Sequence, residues 1–176
     1  MNGARFQVAF FDVPFESLGP NGTPHVEFLY AAAPAEPPRP LAKVASGGEI
    51  SRVMLALKSV LGEADTTPIL VFDEIDAGIG GSTATSVGRR LAELARNHQV
   101  LVITHLAQVA VFADRHLVVS RTLEEGRAAT AVIEVSGDSR VAEVARMLSG
   151  VDTEASRAHA LELLEGATVQ EVGGGS

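Results

Sequence analysis

Two adjacent carboxylates, Asp73 and Glu74, follow an apolar run from Ile69 to Phe72. Such a run is typical of a strand buried on both faces, and ligands of open α/β sheets bind at the carboxyl ends of their strands. Asp73 could hold Mg²⁺, because this ion takes few carboxylates and otherwise prefers phosphate oxygens and water. Glu74 could act as a general base on an attacking water. Acidic residues after a strand can also be plain caps, but the glycine-rich loop at 75–81 is longer than a tight turn requires.

A glycine pair, Gly47 and Gly48, lies between Ser46 and Glu49, directly before a predicted helix that starts at Ile50. Glycines let a backbone approach an anion closely, and a helix start offers free N–H groups and the positive end of a dipole. The segment therefore predicts a phosphate-binding site. An equally open alternative is a capping box, because Ser46 and Glu49 have the Ser-x-x-Glu spacing.

A histidine, His105, follows a second apolar run that predicts a buried strand over Val100 to Ile103. At the edge of the same site, its ring could bond a γ-phosphate or the attacking water. A lone histidine after a strand is more often structural, so this interpretation depends on its neighbours. The other histidines form no comparable group, and none has zinc-ligand spacing.

The elements that would position these residues alternate between helix and strand after residue 41. Apolar spacing predicts helices from Ile50 to near Gly62 and from Ser82 or Thr83 to Asn97. It also predicts a short helix after His105, two more strands, and two terminal helices, of which the last is capped by Thr153 and runs to about Glu165. This alternation indicates an α/β sheet with parallel strands.

The first 40 residues have a different pattern. Phe6, Val8 and Phe10 alternate with smaller or polar residues and predict a half-buried strand, which a turn at 19–22 connects to a second strand. Four prolines between Ala31 and Pro40 predict an extended connector. We therefore divide the chain into a β-hairpin and connector (1–40), a lobe (41–165) and a flexible end or linker (166–176).

Composition narrows the classes of protein. Hydrophobic residues make up 46% of the 176 residues and charged residues 20%, which favours a globular fold. The absence of cysteine excludes disulfides and thiolate metal sites and fits a cytoplasmic protein. No apolar run is long enough to predict a membrane span. The net charge of −8 makes this chain a poor main surface for DNA.

In their order along the chain, these segments resemble the signature motif, Walker B motif, D-loop and switch histidine of ABC-type ATPases. The wider runs at 41–58, 72–81, 104–110 and 153–160 resemble the RecN family of bacterial SMC-like DNA-repair ATPases, over about residues 5–164. The resemblance implies the C-terminal lobe of an ABC/SMC-type ATPase head. Its fold class is α/β, a mostly parallel sheet flanked by helices, with an antiparallel β-hairpin at the start.

The resemblance also assigns roles within ATP hydrolysis. Asp73 would hold Mg²⁺ through water, Glu74 would activate the hydrolytic water, and His105 would contact the γ-phosphate. Asp76 would lie at the junction with a second head. The remaining candidates would reach ATP that is bound on that second head: Ser46, Gly47, Gly48 and Glu49.

The chain has no P-loop, which ends in a Gly-Lys pair that binds the β- and γ-phosphates. Its lysines, Lys43 and Lys58, do not follow glycine. By resemblance, the P-loop belongs to an N-terminal segment beyond a long coiled coil. The expected partners are therefore this P-loop segment, a second head in an ATP-dependent homodimer, and DNA through the complete protein. We expect the chain alone to be inactive.

Three alternatives stay open at this point. The chain could come from another SMC-like head or from an ABC transporter subunit, although a transporter has a helical subdomain where this chain has a hairpin. It could also be a non-catalytic DNA- or protein-interaction module. The intact pair of Asp73 and Glu74 argues against the last alternative.

Overall fold

The structure is a computed structural model, and it describes residues 4–11, 25–31, 33–43, 46–124 and 127–172. Among these residues, no helix is both long and apolar enough to cross a membrane. The helices and strands in chain order are β1 (Arg5–Phe11), β2 (His25–Ala31), β3 (Arg39–Pro40), α1 (Gly47–Leu61), β4 (Ile69–Phe72), α2 (Gly81–Ala95), β5 (Gln99–Val102), α3 (Ala107–Ala110), β6 (His116–Glu124), β7 (Arg127–Val135), α4 (Gly137–Ser149) and α5 (Glu154–Val172).

The predicted hairpin is confirmed. Strands β1 and β2 pair antiparallel, with Phe6 opposite Tyr30 and Val8 opposite Phe28. The turn predicted at 19–22 lies outside the described residues. The hairpin precedes the α/β part of the chain, as the sequence pattern indicated.

The burial expected for β1 is wrong. Phe6, Val8 and Phe10 are 42%, 43% and 68% exposed, because no described element packs over this face of the hairpin. The proline-rich connector ends in the short strand β3, which pairs antiparallel with β2 and places Pro40 opposite Leu29. None of its described residues is helical, and β3 is extended as predicted.

The predicted parallel pair is confirmed, with Ile69 of β4 opposite Gln99 of β5. Leu70 and Phe72 of β4 are buried under the helices, whereas Ile69 and Val71 are 52% and 64% exposed. The expectation that β4 is buried on both faces is therefore wrong. Side chains alternate across a strand, and the described helices cover only the Leu70 and Phe72 face.

One core cluster joins α1, β4, α2 and α3, and it lies directly behind the candidate site. It includes the fully buried Ile75, which follows the two carboxylates. A close contact between α2 and α3 depends on Gly88, since a Cβ there would lie 2.5 Å from the Phe112 ring and 3.0 Å from the Gln108 carbonyl oxygen. This explains a glycine in the middle of a helix, where it otherwise costs stability.

A second core cluster joins α3 to the two terminal helices. The predicted cap at Thr153 is confirmed, because its Oγ1 accepts a hydrogen bond from the Ser156 backbone N–H at 3.2 Å. In return, the Thr153 N–H donates to Ser156 Oγ at 2.9 Å. The start of α5 is thus closed by a reciprocal pair of hydrogen bonds.

The predicted end of the last helix is wrong. Helix α5 continues past Glu165 to Val172, so the boundary proposed at 166 falls inside a helix. The glycine-rich residues 173–176 lie outside the described residues. The division of the chain into three parts otherwise stays a prediction.

Candidate functional site

Helix α1 begins at Gly47, which places the glycine pair in its first turn. Ser46 is the N-cap residue, with φ −103° and ψ 120°, and its side chain makes no capping hydrogen bond. The capping-box interpretation is therefore wrong, because the Ser46 hydroxyl closes no N–H of the helix. Glu49 lies partly buried near Tyr30 of β2, whose pKa is raised by burial and then by the charge of Glu49.

The glycine pair contacts the segment that carries the acidic pair. A Cβ on Gly47 would overlap the Glu74 carboxylate, and a Cβ on Gly48 would lie 2.7 Å from the Glu74 carbonyl oxygen and 2.8 Å from the Ala77 Cβ. The two motifs are thus in contact within one chain. The Glu74 carboxylate lies at the N-terminal, positive end of α1, where a helix stabilises negative charge.

Glu74 has φ of 56°, the only positive φ of a non-glycine residue in the described ranges. This left-handed conformation is unfavourable for a residue with a Cβ and persists where surrounding contacts enforce it. Three hydrogen bonds do so here. The Glu74 N–H donates to Asp73 Oδ1 at 2.8 Å, the Ala77 N–H donates to the Glu74 carbonyl at 2.9 Å, and Ser51 Oγ donates to the Asp73 carbonyl at 2.8 Å.

Asp73 is exposed at the carboxyl end of β4, and its Oδ1 already accepts the bond from Glu74. The described residues contain no group of three or more His, Asp or Glu side chains that could hold a metal ion. Asp73 is therefore not part of a metal cage formed by the described residues. Its position fits an ion such as Mg²⁺, which takes one or two carboxylates and fills its other positions with phosphate oxygens and water.

Asp76 turns inward and binds the histidine segment. It is 4% exposed, and its Oδ2 lies 2.5 Å from Thr104 Oγ1 and 2.9 Å from the His105 N–H. The same oxygen lies 2.9 Å from His105 Nδ1. Burial alone would raise the pKa of Asp76, but the hydrogen bonds from Thr104 and His105, together with the charge of His105, hold this pKa below its ordinary value.

His105 is oriented by that contact and remains accessible. Its side chain is 76% exposed, although Nδ1 is held by Asp76. The sequence did not single out Thr104, although its position directly before His105, two residues after the end of β5, was a usable signal.

The sequence also gave no individual role to Arg52. Its Nη1 donates to the Ile75 carbonyl at 3.1 Å and to the Ala77 carbonyl at 2.8 Å. The available signal was its position four residues after Gly48, since residues with this spacing lie on one face of a helix. Together with Ser51, Arg52 fastens α1 to the segment 73–77.

The two glycines should respond differently to substitution. Gly48→Ala is expected to lower the free energy of unfolding by about 1–3 kcal/mol, because its Cβ would meet backbone and a fixed Cβ. Gly47→Ala should change this free energy by about 1 kcal/mol or less, because the flexible Glu74 side chain can turn away and alanine favours the helix. Urea unfolding of the two variants measures the difference, and equal losses would contradict the geometry.

Comparison with known proteins supports the resemblance. No model of a known protein family matches the chain. Over 150 residues it is 53% identical to the DNA repair protein RecN of Streptomyces coelicolor, covering 85% of this chain and 26% of that protein. Over 160 residues it is 52% identical to the DNA repair protein RecN of Treponema pallidum, covering 90% of this chain and 28% of that protein.

A solved Smc head domain with a coiled coil and joint, from Pyrococcus yayanosii, matches the fold with a TM-score of 0.53. The match covers 95% of this chain and 26% of that chain at 20% identity, which shows the fold alone. The predicted fold class, an α/β head segment with an N-terminal hairpin, is therefore confirmed. Over most of its length this chain belongs by sequence to the RecN family, and it spans about a quarter of the length of the RecN proteins that it matches.

Proposed function

We propose that the chain is the C-terminal part of an ATPase head in a RecN-like protein that acts in the recombinational repair of DNA double-strand breaks. Its segments would serve as signature motif, Walker B motif, D-loop and switch histidine. The observation that carries this proposal is their contact: the glycine pair touches Glu74, and Asp76 holds His105. Sequence similarity to proteins named for DNA repair supports the biological role.

The proposed reaction is hydrolysis of the terminal phosphoanhydride of ATP. Glu74 accepts a proton from water while the water oxygen bonds to the γ-phosphorus and the bond to the β–γ bridging oxygen breaks, which releases ADP and phosphate. His105 binds the γ-phosphate and keeps the water in line. Mg²⁺ held through Asp73 would neutralise charge on the phosphate oxygens. Most of the rate enhancement in such reactions comes from positioning and charge stabilisation.

The exposed face of the parallel pair supports a P-loop segment of the same head as the first partner. Ile69 and Val71 of β4 are exposed on it, and Leu101 of β5 and Ile103 just beyond it are 45% and 60% exposed. Val71 and Leu101 are direct neighbours in the register. Parallel sheets are normally covered on both faces, so we expect another structural element to pack against this apolar surface.

The start of α1 supports a second head as the other partner. The Ser46 hydroxyl is not used as a cap, and Gly47 is exposed at the positive end of the helix dipole, whereas Gly48 is buried against the segment 74–77. A triphosphate bound on another head would fit this position and link the two heads. The Glu74 carboxylate now lies against Gly47, so it would turn away from α1 as the heads engage.

Reconstitution tests the proposal. We expect that mixing the chain with the P-loop segment of the same protein produces Mg²⁺-dependent ATP hydrolysis, whereas neither part hydrolyses ATP alone. The matched control is the same mixture with the P-loop lysine replaced by alanine. A complex that forms but shows no more turnover than this control would contradict the catalytic proposal and favour a non-catalytic interaction module.

A further inference from the structure

We infer that Arg52 is a positioning residue for hydrolysis, which fixes the loop at 75–77 and, through Asp76, sets the orientation of His105. This inference rests on the proposed ATPase function and adds to it a residue outside the motifs that contact nucleotide. Arg52 lies in the second turn of α1, beyond the glycines that would approach a phosphate. Its guanidinium points at the protein backbone instead.

The hydrogen bonds of Arg52 bracket one residue. A single nitrogen, Nη1, donates to the carbonyls of Ile75 and Ala77, at 3.1 Å and 2.8 Å. Asp76 lies between these two carbonyls in the chain. Bonds from a charged donor are stronger than bonds between neutral groups, so the backbone on both sides of Asp76 is held firmly to α1.

The contact between Arg52 and the loop lies in a largely buried part of the protein. Ile75 is fully buried and Asp76 is 4% exposed. Arg52 Nε is buried and has no hydrogen-bond partner in the described part of the chain. A cation that is partly removed from water in this way depends on the acceptors that remain, which here are the two loop carbonyls. Breaking the hydrogen bonds between the guanidinium and these carbonyls would therefore cost free energy.

The contact continues to the histidine. Asp76 Oδ2 accepts hydrogen bonds from Thr104 and from the His105 N–H and faces His105 Nδ1. Gly48, four residues before Arg52 on the same face of α1, packs against Ala77 beside the guanidinium. A displacement of the start of α1 by a bound phosphate would thus shift the loop and the His105 ring together. Arg52 is the side chain that makes this linkage stiff.

The test is steady-state ATPase kinetics of the complete head with Arg52→Ala, Arg52→Lys and the control Arg90→Ala. Arg90 is an exposed arginine on α2 that pairs with Glu93. We expect Arg52→Ala to lower kcat by about tenfold to 100-fold, the scale of a slightly misplaced catalytic group. The KM for ATP and ATP-dependent dimerisation should stay at the level of the control. Arg52→Lys should recover part of kcat, because one ammonium nitrogen can donate to both carbonyls.

Three results would overturn the inference. The first is a kcat of Arg52→Ala equal to that of Arg90→Ala. The second is a parallel loss of kcat, nucleotide binding and thermal stability in both Arg52 variants, which would indicate a purely structural role. If only Arg52→Ala fails to fold, Arg52→Gln replaces it, because its shorter neutral side chain supplies no charged donor. A kcat of a stable Arg52→Gln variant equal to that of Arg90→Ala is the third. A wild-type head that hydrolyses no ATP would instead refute the proposed function on which the inference rests.

Discussion

Replacing Glu74 by glutamine is expected to lower the rate of ATP hydrolysis by the complete head about 100-fold or more, the usual contribution of a general base. The amide has nearly the same shape as the carboxylate but cannot accept the proton of the attacking water. The strained backbone at this position should persist, because it is held by hydrogen bonds that involve only main-chain groups of residue 74. ATP binding should therefore be retained, and ATP-bound head dimers should accumulate.

The measurement combines steady-state turnover with the mass of the particle in the presence of ATP, by size-exclusion chromatography with light scattering. Glu93→Gln is the matched control, since Glu93 is a glutamate on α2 that pairs only locally with Arg90. Turnover by Glu74→Gln at the level of this control would exclude Glu74 as the base. Loss of ATP binding would point instead to a structural role for its contact with Gly47.

Replacing Ser46 by arginine is expected to abolish ATP-dependent dimerisation while each head still binds nucleotide. Ser46 stands at the start of α1, where its hydroxyl forms no cap, so its removal sacrifices no capping bond. A long cationic side chain would block the approach of a second head to the glycine pair. The positive charge at this end of a helix should cost only about 0.3–1 kcal/mol of stability.

The Glu74→Gln background is the most sensitive place to test Ser46→Arg, because dimers should accumulate there. Ser59→Arg is the matched control: it introduces the same side chain near the other end of α1, where Ser59 is exposed and bonds only the Leu55 carbonyl of its own helix. Dimerisation should survive in the control and disappear in Ser46→Arg. Undiminished dimerisation of Ser46→Arg would refute the proposed contact between the start of α1 and a second head.

The two predictions depend on features that the sequence revealed to different degrees. The residue types and their order were readable, because a buried strand followed by carboxylates and a glycine pair before an amphipathic helix are local patterns. The contact between Gly47 and Glu74 was not readable. It joins residues far apart in the chain and depends on how α1 packs over the end of β4.

The structure was also needed to decide between two interpretations of the same local sequence pattern. The spacing of Ser46 and Glu49 fits a capping box and a phosphate site equally, because both begin with the same residue types at the start of a helix. The structure excludes the box, since Ser46 makes no capping bond and Glu49 lies near Tyr30. The same spacing principle succeeded at Thr153, where Ser156 completes the reciprocal bonds.

Burial was the least predictable property. The alternation of Phe6, Val8 and Phe10 correctly predicts a strand, but the strand is exposed because nothing described packs on it. The apolar run at β4 likewise predicts a strand with two covered faces, and one of them is open. An apolar residue shows that a surface favours burial, but it does not identify the element that covers that surface.

The sequence by itself thus determined the chemical groups, the order of the four segments, the helix–strand alternation and the lack of a P-loop within this chain. Only the tertiary structure decided that Asp76 faces His105 and that Arg52 holds the backbone on both sides of Asp76. The physical reason is distance along the chain. Hydrogen bonds between segments more than 20 residues apart depend on packing, which local propensity does not specify.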